Sequence, residues 1–123
     1  MKAKLDVVKK WETLFNQNSM DIVKTYSNDG VLIGTFAVKI KKGRGTIQPY
    51  FAMLFQKNKL SVKFENDVFT NELEDAYIVS GFYSFFFEEE GKMKQIRARY
   101  SYVCESINGE MLIVNHHSSE VPV

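Results

Sequence analysis

The second half of the chain alternates apolar and polar residues, which predicts strands from Leu60 onward. The strand expected over residues 76–87 is unusual because it is apolar on both sides. One side carries Val79, Tyr83, Phe85 and Phe87, and the other carries Ile78, Phe82 and Phe86. An antiparallel sheet in a lone domain usually leaves one face to water. Both faces here need cover, so we expect helices on one face and a partner chain or a large ligand on the other.

The first half of the chain predicts three helices. Leu5, Val8, Trp11 or Glu12, and Phe15 recur at the spacing of one helical face. Ser19 is the expected N-cap of a short second helix that turns Ile22, Val23 and Tyr26 inward. The third helix is expected to be capped by Thr46, with Pro49 in its first turn, where proline costs little. Its inward residues are Ile47, Tyr50, Phe51, Leu54 and Phe55.

Turn signals separate these elements and complete the order. Asn28-Asp29-Gly30 predicts a turn before a first strand over residues 31–36, and residues 39–45 read as a charged, solvated loop. Glu88-Glu89-Glu90-Gly91-Lys92 predicts a hairpin tip, and Asn108-Gly109 is a strong hairpin signal before the last strand. The order is helix, helix, strand, helix and four antiparallel strands. It predicts one α+β domain over residues 1–123, in which a cone-shaped, curled antiparallel sheet wraps three N-terminal helices.

The composition limits which binding partners and which cellular compartment are expected. Sixteen basic and fifteen acidic residues leave a net charge of +1, which gives no electrostatic reason to expect nucleic acid or an anionic membrane. The only cysteine is Cys104, so no internal disulfide can form, and its strand position predicts an inert core thiol. No apolar signal core or stretch of membrane-spanning length occurs. We therefore expect a soluble cytoplasmic protein.

The two histidines are the first candidates for chemistry. His116 and His117 are neighbours on a strand, so they should project from opposite faces and cannot both ligate one metal ion. We expect no metal and no other cofactor. A wall residue held by hydrogen bonds is the main interpretation of one histidine, and a general base remains the alternative. Ser118 and Ser119 lack the glycines of a nucleophile elbow.

Two arginines form a second candidate. Arg97 and Arg99 lie two residues apart on a strand, so both should point to one face. Two guanidinium groups there could bind a carboxylate or form ion pairs across an interface. The ion pairs are favoured, because an unpaired buried arginine is costly.

Several segments in order resemble one known family. They are Asp29-Gly30-Val31-Leu32, Ile47 with Tyr50-Phe51, Gly81-Phe82-Tyr83-Ser84-Phe85, Ala98-Arg99-Tyr100-Ser101-Tyr102-Val103, Asn108-Gly109, and Ile113-Val114-Asn115-His116-His117-Ser118-Ser119-Glu120-Val121-Pro122. Together they resemble the association domain of calcium/calmodulin-dependent protein kinase II and its free-standing bacterial relatives. That family lies within the nuclear-transport-factor-like superfamily, which includes SnoaL-type cyclases and ketosteroid isomerase.

The resemblance implies an assembly domain with a pocket. In the kinase, this domain is a non-catalytic hub that forms a double ring, and its cone encloses a pocket lined by arginines. Matching the motifs places Tyr83, Tyr102 and Ser118 at those arginine positions. The resemblance therefore implies an aromatic and hydroxyl-lined pocket for a small, largely apolar molecule. Its expected residues are Tyr50, Phe51, Leu54, Tyr83, Tyr102, His116 and Ser118.

Three functions remain open from the sequence. The first is a non-catalytic domain that forms a homo-oligomer, at least a dimer through the sheet, and binds a small ligand. The second is a small SnoaL-like or ketosteroid-isomerase-like enzyme that uses Tyr83, Tyr102 and His116 on an apolar carbonyl substrate. Such an enzyme needs a base and an oxyanion donor at one carbonyl, and no carboxylate is clearly directed into the cone. The third is a module that scaffolds another protein.

Overall fold

The structure is a computed structural model that describes the backbone of residues 2–122 and the side chains of residues 7–122. Its helices are α1 (Lys2–Asn16), a 3-10 helix (Met20–Thr25) and α2 (Arg44–Leu54). Its strands are β1 (Tyr26–Ile33), β2 (Lys41–Lys42), β3 (Asn58–Glu72), β4 (Ala76–Glu89), β5 (Lys92–Ile107) and β6 (Glu110–Glu120). The predicted α+β class and the predicted order of helices and long strands are confirmed.

One curled and unclosed sheet contains all six strands, in the order β2-β1-β6-β5-β4-β3. The four long strands β3 to β6 pair antiparallel with their sequence neighbours, as predicted. β1 is the exception, because it lies beside β6 and runs parallel to it. The first strand and the last strand therefore meet, and their junction positions residues from both ends of the chain side by side.

The two sets of apolar side chains on β4 lie on opposite faces of the sheet, as the alternation predicted. On β4, Tyr77, Val79, Tyr83, Phe85 and Phe87 are buried, and the apolar side chains between them, Ile78, Phe82 and Phe86, are partly exposed. We call the buried side the inner face and the other side the outer face. Both helices pack on the inner face, where Trp11 stacks on Tyr83 and Phe15 contacts Phe85. Val8, Trp11 and Phe15 are buried, which confirms the inward stripe of α1, and the predicted side chain of Leu5 lies outside the described residues.

The region between α1 and α2 differs in detail from the prediction. The short second helix is a 3-10 helix, and the Ser19 hydroxyl accepts a hydrogen bond from the Asp21 amide at 3.2 Å, as expected of an N-cap. The first strand begins at Tyr26 instead of residue 31. The expected turn at residues 28–30 is a bulge within that strand, because the pairing with β6 shifts between Tyr26 and Val31.

The start of the helix α2 was predicted wrongly. Gly43, with φ of 87°, precedes its first residue Arg44, so Thr46 is inside the helix and Pro49 lies beyond the first turn. The earlier start has a physical cause. The Arg44 side chain donates hydrogen bonds to the carbonyl oxygens of Tyr26 at 2.8 Å and Lys24 at 3.3 Å. These bonds tie the helix start to the first residue of β1 and to the 3-10 helix. The loop before α2 contributes the short strand β2.

Candidate functional site: the histidine and aromatic cluster in the cone

The strand β6 places its two histidines on opposite faces, as predicted. His116 is on the inner face and only 1% exposed, whereas His117 is exposed on the outer face. The two imidazoles therefore cannot converge on one metal ion. Within residues 7–122, no group of three His, Cys, Asp or Glu side chains could hold a metal ion.

His116 is held at both ring nitrogens by tyrosine hydroxyls. Tyr26 Oη lies 2.8 Å from Nδ1, and Tyr83 Oη lies 3.0 Å from Nε2. Trp11 Nε1 donates to Tyr26 Oη at 3.0 Å. The indole N–H can only donate, so Tyr26 Oη accepts from it and donates its own proton to Nδ1 of His116. His116 then carries its proton on Nε2 and donates it to Tyr83, and every ring nitrogen in the chain of bonds is satisfied.

The cluster is electrically neutral at physiological pH. Burial lowers the pKa of His116 to about 3, and the neighbouring His117 acts in the same direction. Burial also raises the pKa of Tyr26, Tyr83 and Tyr102 well above the usual value near 10. The Tyr102 ring stacks on His116 with centroids 3.9 Å apart, which fixes the plane of the imidazole. These groups can orient a neutral polar ligand and offer no charge to an ionic one.

A small cavity lies beside the cluster, and aromatic side chains occupy most of the space inside the cone. Its volume is about 10 Å³, which is close to the minimum for one water molecule. It is lined by Trp11, Phe15, Leu32, Gly34, Tyr50, Phe51, Leu54, Tyr83, Phe85, His116 and Ser118. Six of the seven expected pocket residues thus surround one cavity. The seventh, Tyr102, lies behind the His116 ring, and its buried hydroxyl completes no hydrogen bond of good geometry.

The rim of the cavity contains residues that were not among the pocket residues predicted from the sequence. Thr35 and Ser118 hydroxyls are 2.5 Å apart, which joins the end of β6 to the segment after β1. The Tyr50 ring covers Gly34, where a Cβ atom would approach the Tyr50 hydroxyl to 2.5 Å. An isolated glycine at the end of a strand signals such a close approach. Trp11 had been expected only as a core residue, and Tyr26 only as an inward residue of the second helix.

The arrangement is a weak basis for acid–base chemistry. Both nitrogens of His116 are engaged, and a pKa of about 3 makes it a poor general base at neutral pH. No carboxylate belongs to the described lining of the cavity. Glu12 on α1 is a carboxylate, and the sequence did not decide whether Glu12 or Trp11 faces inward. Burial raises the pKa of Glu12. The pKa of Tyr100 is raised to about 12, mainly by burial and secondly by the charge of Glu12. Glu12 does not line the cavity.

The two arginines of β5 have different environments. Arg97 donates to both carboxylate oxygens of Glu65, at 2.7 and 2.9 Å, and its guanidinium lies 4.1 Å from the centre of the Phe82 ring. The ion pair favoured for Arg97 across an interface therefore forms within the chain. Arg99 forms no ion pair among the described residues.

Comparison with known proteins identifies the family. The sequence model of the calcium/calmodulin-dependent protein kinase II association domain matches residues 5–122. The chain belongs to this association domain family. No curated protein sequence matches the chain.

Among the described residues of this association domain, no helix is both long and apolar enough to cross a membrane.

Solved structures agree with the family and the fold. A Xanthomonas campestris protein, described provisionally as such an association domain, is 30% identical, with a TM-score of 0.85 over 94% of this chain and 83% of that one. A nuclear transport factor 2-like protein from Salmonella enterica is 16% identical, with a TM-score of 0.83 over 99% and 93%. A ketosteroid isomerase-like protein from Erwinia carotovora is 14% identical, with a TM-score of 0.80 over 99% and 96%. The last two likenesses show that this association domain has the nuclear-transport-factor-like fold.

Proposed function

We propose that this association domain is a non-catalytic module that forms homo-oligomers through the outer face of its sheet. The observation that carries this proposal is a group of apolar side chains on that face, which we call the outer apolar patch. It consists of Phe69 on β3 and Ile78, Phe82 and Phe86 on β4. Phe69 is 65% exposed, and the others are partly exposed. The ring contacts of α1 and α2 are all made on the opposite face.

A second copy of the chain is the occupant that fits the patch best. Contiguous apolar patches on soluble chains commonly mark protein interfaces. A dimer built on a two-fold axis brings the same patch of both copies together, so an apolar patch is matched by itself. The family description, an association domain, supports the same occupant. A dimer is the minimum, and a larger ring is the form expected from the resemblance.

Light scattering coupled to gel filtration tests this proposal. We expect a mass at least twice the chain mass of 14.2 kDa at micromolar concentration. Phe69→Lys adds a charge to the patch at an exposed position, so it should reduce the mass without unfolding the chain. Met53→Lys is the matched control, because Met53 is 50% exposed on α2 and lies away from the sheet. A mass near 14.2 kDa for the unmodified chain would contradict the proposal.

The same proposal includes a small, largely apolar ligand in the cone. Support comes from the convergence of neutral polar groups with aromatic walls, which is the usual composition of ligand pockets. The present cavity is too small for such a ligand, so a wall side chain must move. Tyr50 is the best candidate, because its hydroxyl is held only by a long 3.4 Å hydrogen bond from the Phe36 amide.

A screen of small aromatic and aliphatic compounds by ligand-observed NMR tests the ligand. We expect Tyr50→Ala to bind hits more tightly than the unmodified chain, because it enlarges the cavity. His116→Gln should weaken the same hits, because it removes one of the two polar ring positions. Met53→Lys should leave binding unchanged. If neither the unmodified chain nor Tyr50→Ala binds any compound, the ligand part of the proposal is wrong and the assembly part is untouched.

A further inference from the structure

A polar depression lies on the outer face of the sheet, where β5 and β6 pair. Its volume is about 210 Å³, and it is lined by Arg99, Tyr100, Ser101, His117 and Ser119. The register explains why four of these side chains share a face. Arg99 is directly opposite Ser119, and Ser101 is directly opposite His117. Side chains directly opposite one another on antiparallel strands lie on the same side of the sheet.

The positive charge of Arg99 in the depression has no ion-pair partner among the described residues. Arg97, two residues away, is paired with Glu65, but Arg99 has no such partner. The side chain opposite Arg99 on β4 is Phe82, and the one opposite His117 on β1 is Ile33. No carboxylate lines the depression. Arg99 is therefore free to bind a ligand group of opposite charge.

The available groups are hydrogen-bond donors. The Arg99 guanidinium is a cation whose donors form a planar fork that matches oxyanions. An imidazole can donate from a ring nitrogen, and Ser101 and Ser119 can donate from their hydroxyls. Ser101 Oγ lies 2.7 Å from Ser80 Oγ on β4. When Ser80 donates in that pair, the Ser101 proton is available to a ligand.

The geometry points to a binding site for a small oxyanion, a phosphate or a carboxylate, on Arg99, Ser101, His117 and Ser119. Donors reach the depression from two paired strands, so a bound anion would accept from both. Charge-assisted hydrogen bonds from arginine are the strongest interactions that such a site offers an anion. The volume is below the range of drug-sized ligand pockets, which suits a small ion or a single ligand group.

This inference goes beyond the proposed assembly and the proposed ligand in the cone. The four proposed donors lie on the outer face, and none of them lines the cavity in the cone. It adjoins the outer apolar patch at Phe82, and assembly through that patch would place the site at the edge of the interface. Binding is therefore best measured both in the unmodified chain and in Phe69→Lys.

Amide NMR titrations with inorganic phosphate and with acetate, each at constant ionic strength, test the site. We expect saturable shifts confined to residues 99–101 and 117–119, in both the unmodified chain and Phe69→Lys. Arg99→Gln should weaken binding by at least about tenfold, because a charge-assisted hydrogen bond is lost. Ser119→Ala should weaken it by a smaller factor. Lys94→Gln is the matched control, since it removes one positive charge from the same strand outside the depression, and it should leave binding unchanged.

Each outcome decides a separate point. Local, saturable binding of either anion that depends on Arg99 supports the site, and the tighter anion identifies the ligand group. Linear shifts spread over basic residues, or equal losses in Arg99→Gln and Lys94→Gln, would overturn it, because they indicate general charge attraction. The mass of each sample, measured in parallel, reports on assembly alone. A monomer that still binds phosphate would support the site while contradicting the proposed assembly.

Discussion

His116 shows how one buried polar residue is accommodated in an aromatic core. A buried imidazole is costly when its nitrogens lack partners, and here Tyr26 and Tyr83 occupy both. The stacked Tyr102 ring and the edge of Trp11, whose ring centroid is 5.3 Å from that of the imidazole, exclude water from the ring. These contacts stabilise the neutral form only, so protonation and folding oppose each other.

Folding stability should therefore fall in mild acid. The folded-state pKa of His116 is about 3, below the usual value near 6.5 expected in the unfolded chain. Between these values the unfolded state binds a proton that the folded state does not, so stability is lost as pH falls. The slope from this residue is at most about 1.4 kcal/mol per pH unit. Urea unfolding between pH 7 and pH 4.5 should show a steeper loss in the unmodified chain than in His116→Gln. Parallel profiles would contradict the assignment of a neutral His116.

Cys104 should be chemically inert in the folded chain. It is fully buried on the inner face, and burial raises the pKa of its thiol to about 12. The reactive thiolate is therefore scarce, and a reagent has no access. We expect labelling by a thiol reagent at pH 7.5 to be more than about 100-fold slower than in urea, since reaction requires unfolding. Similar rates in the two conditions would show that the strand opens readily.

At the scale of elements, two hairpin turns share one backbone geometry and differ in sequence. Asn108 and Gly109 have φ values of 53° and 81°, and Glu90 and Gly91 have φ values of 53° and 77°. Both residues of such a turn lie in the left-handed region, as in type I′ hairpins. Asparagine tolerates this region and glutamate does so less readily. The β4–β5 turn therefore contains a residue that its backbone does not favour.

Replacing that residue should stabilise the hairpin. Glu90→Asn creates an Asn-Gly pair at the β4–β5 turn, and we expect the free energy of unfolding to rise by about 0.5 kcal/mol, a fraction of the usual left-handed cost. Urea denaturation measures the change. Glu89→Asn is the control, because Glu89 is the last residue of β4 and has no positive φ. A gain of equal size in the control would attribute the effect to charge and not to the turn.

At the scale of the whole molecule, assembly through the outer apolar patch should couple stability to concentration. A complex that forms only from folded chains stabilises the folded state by mass action. The midpoint of thermal unfolding should therefore rise with protein concentration in the unmodified chain and in Met53→Lys. In Phe69→Lys it should be nearly constant over the same range. A midpoint independent of concentration in all three proteins would count against assembly through this patch.

The strands β3 to β6 and the inward stripe of α1 could be predicted from the sequence because their signals are local and repeat along the chain. Alternation assigns His116 and His117 to opposite faces whatever lies around them. The start of α2 could not be predicted in this way. Its position depends on hydrogen bonds from Arg44 to the carbonyl oxygens of Lys24 and Tyr26, which no periodicity encodes. The bulge in β1 likewise depends on pairing with β6, about ninety residues later in the chain.

The fold class, the two apolar faces of the sheet and the family resemblance could all be read from residue spacing and short motifs. The filling of the cone could not, because it depends on contacts between distant segments. Trp11, Tyr26 and His116 come from three separate elements, and their hydrogen bonds and ring contacts leave a cavity of about 10 Å³. The structure also separated two similar arginines, giving Arg97 a carboxylate and leaving Arg99 without one. Packing and pairing between distant segments decide both, and neither is written in the local pattern of residues.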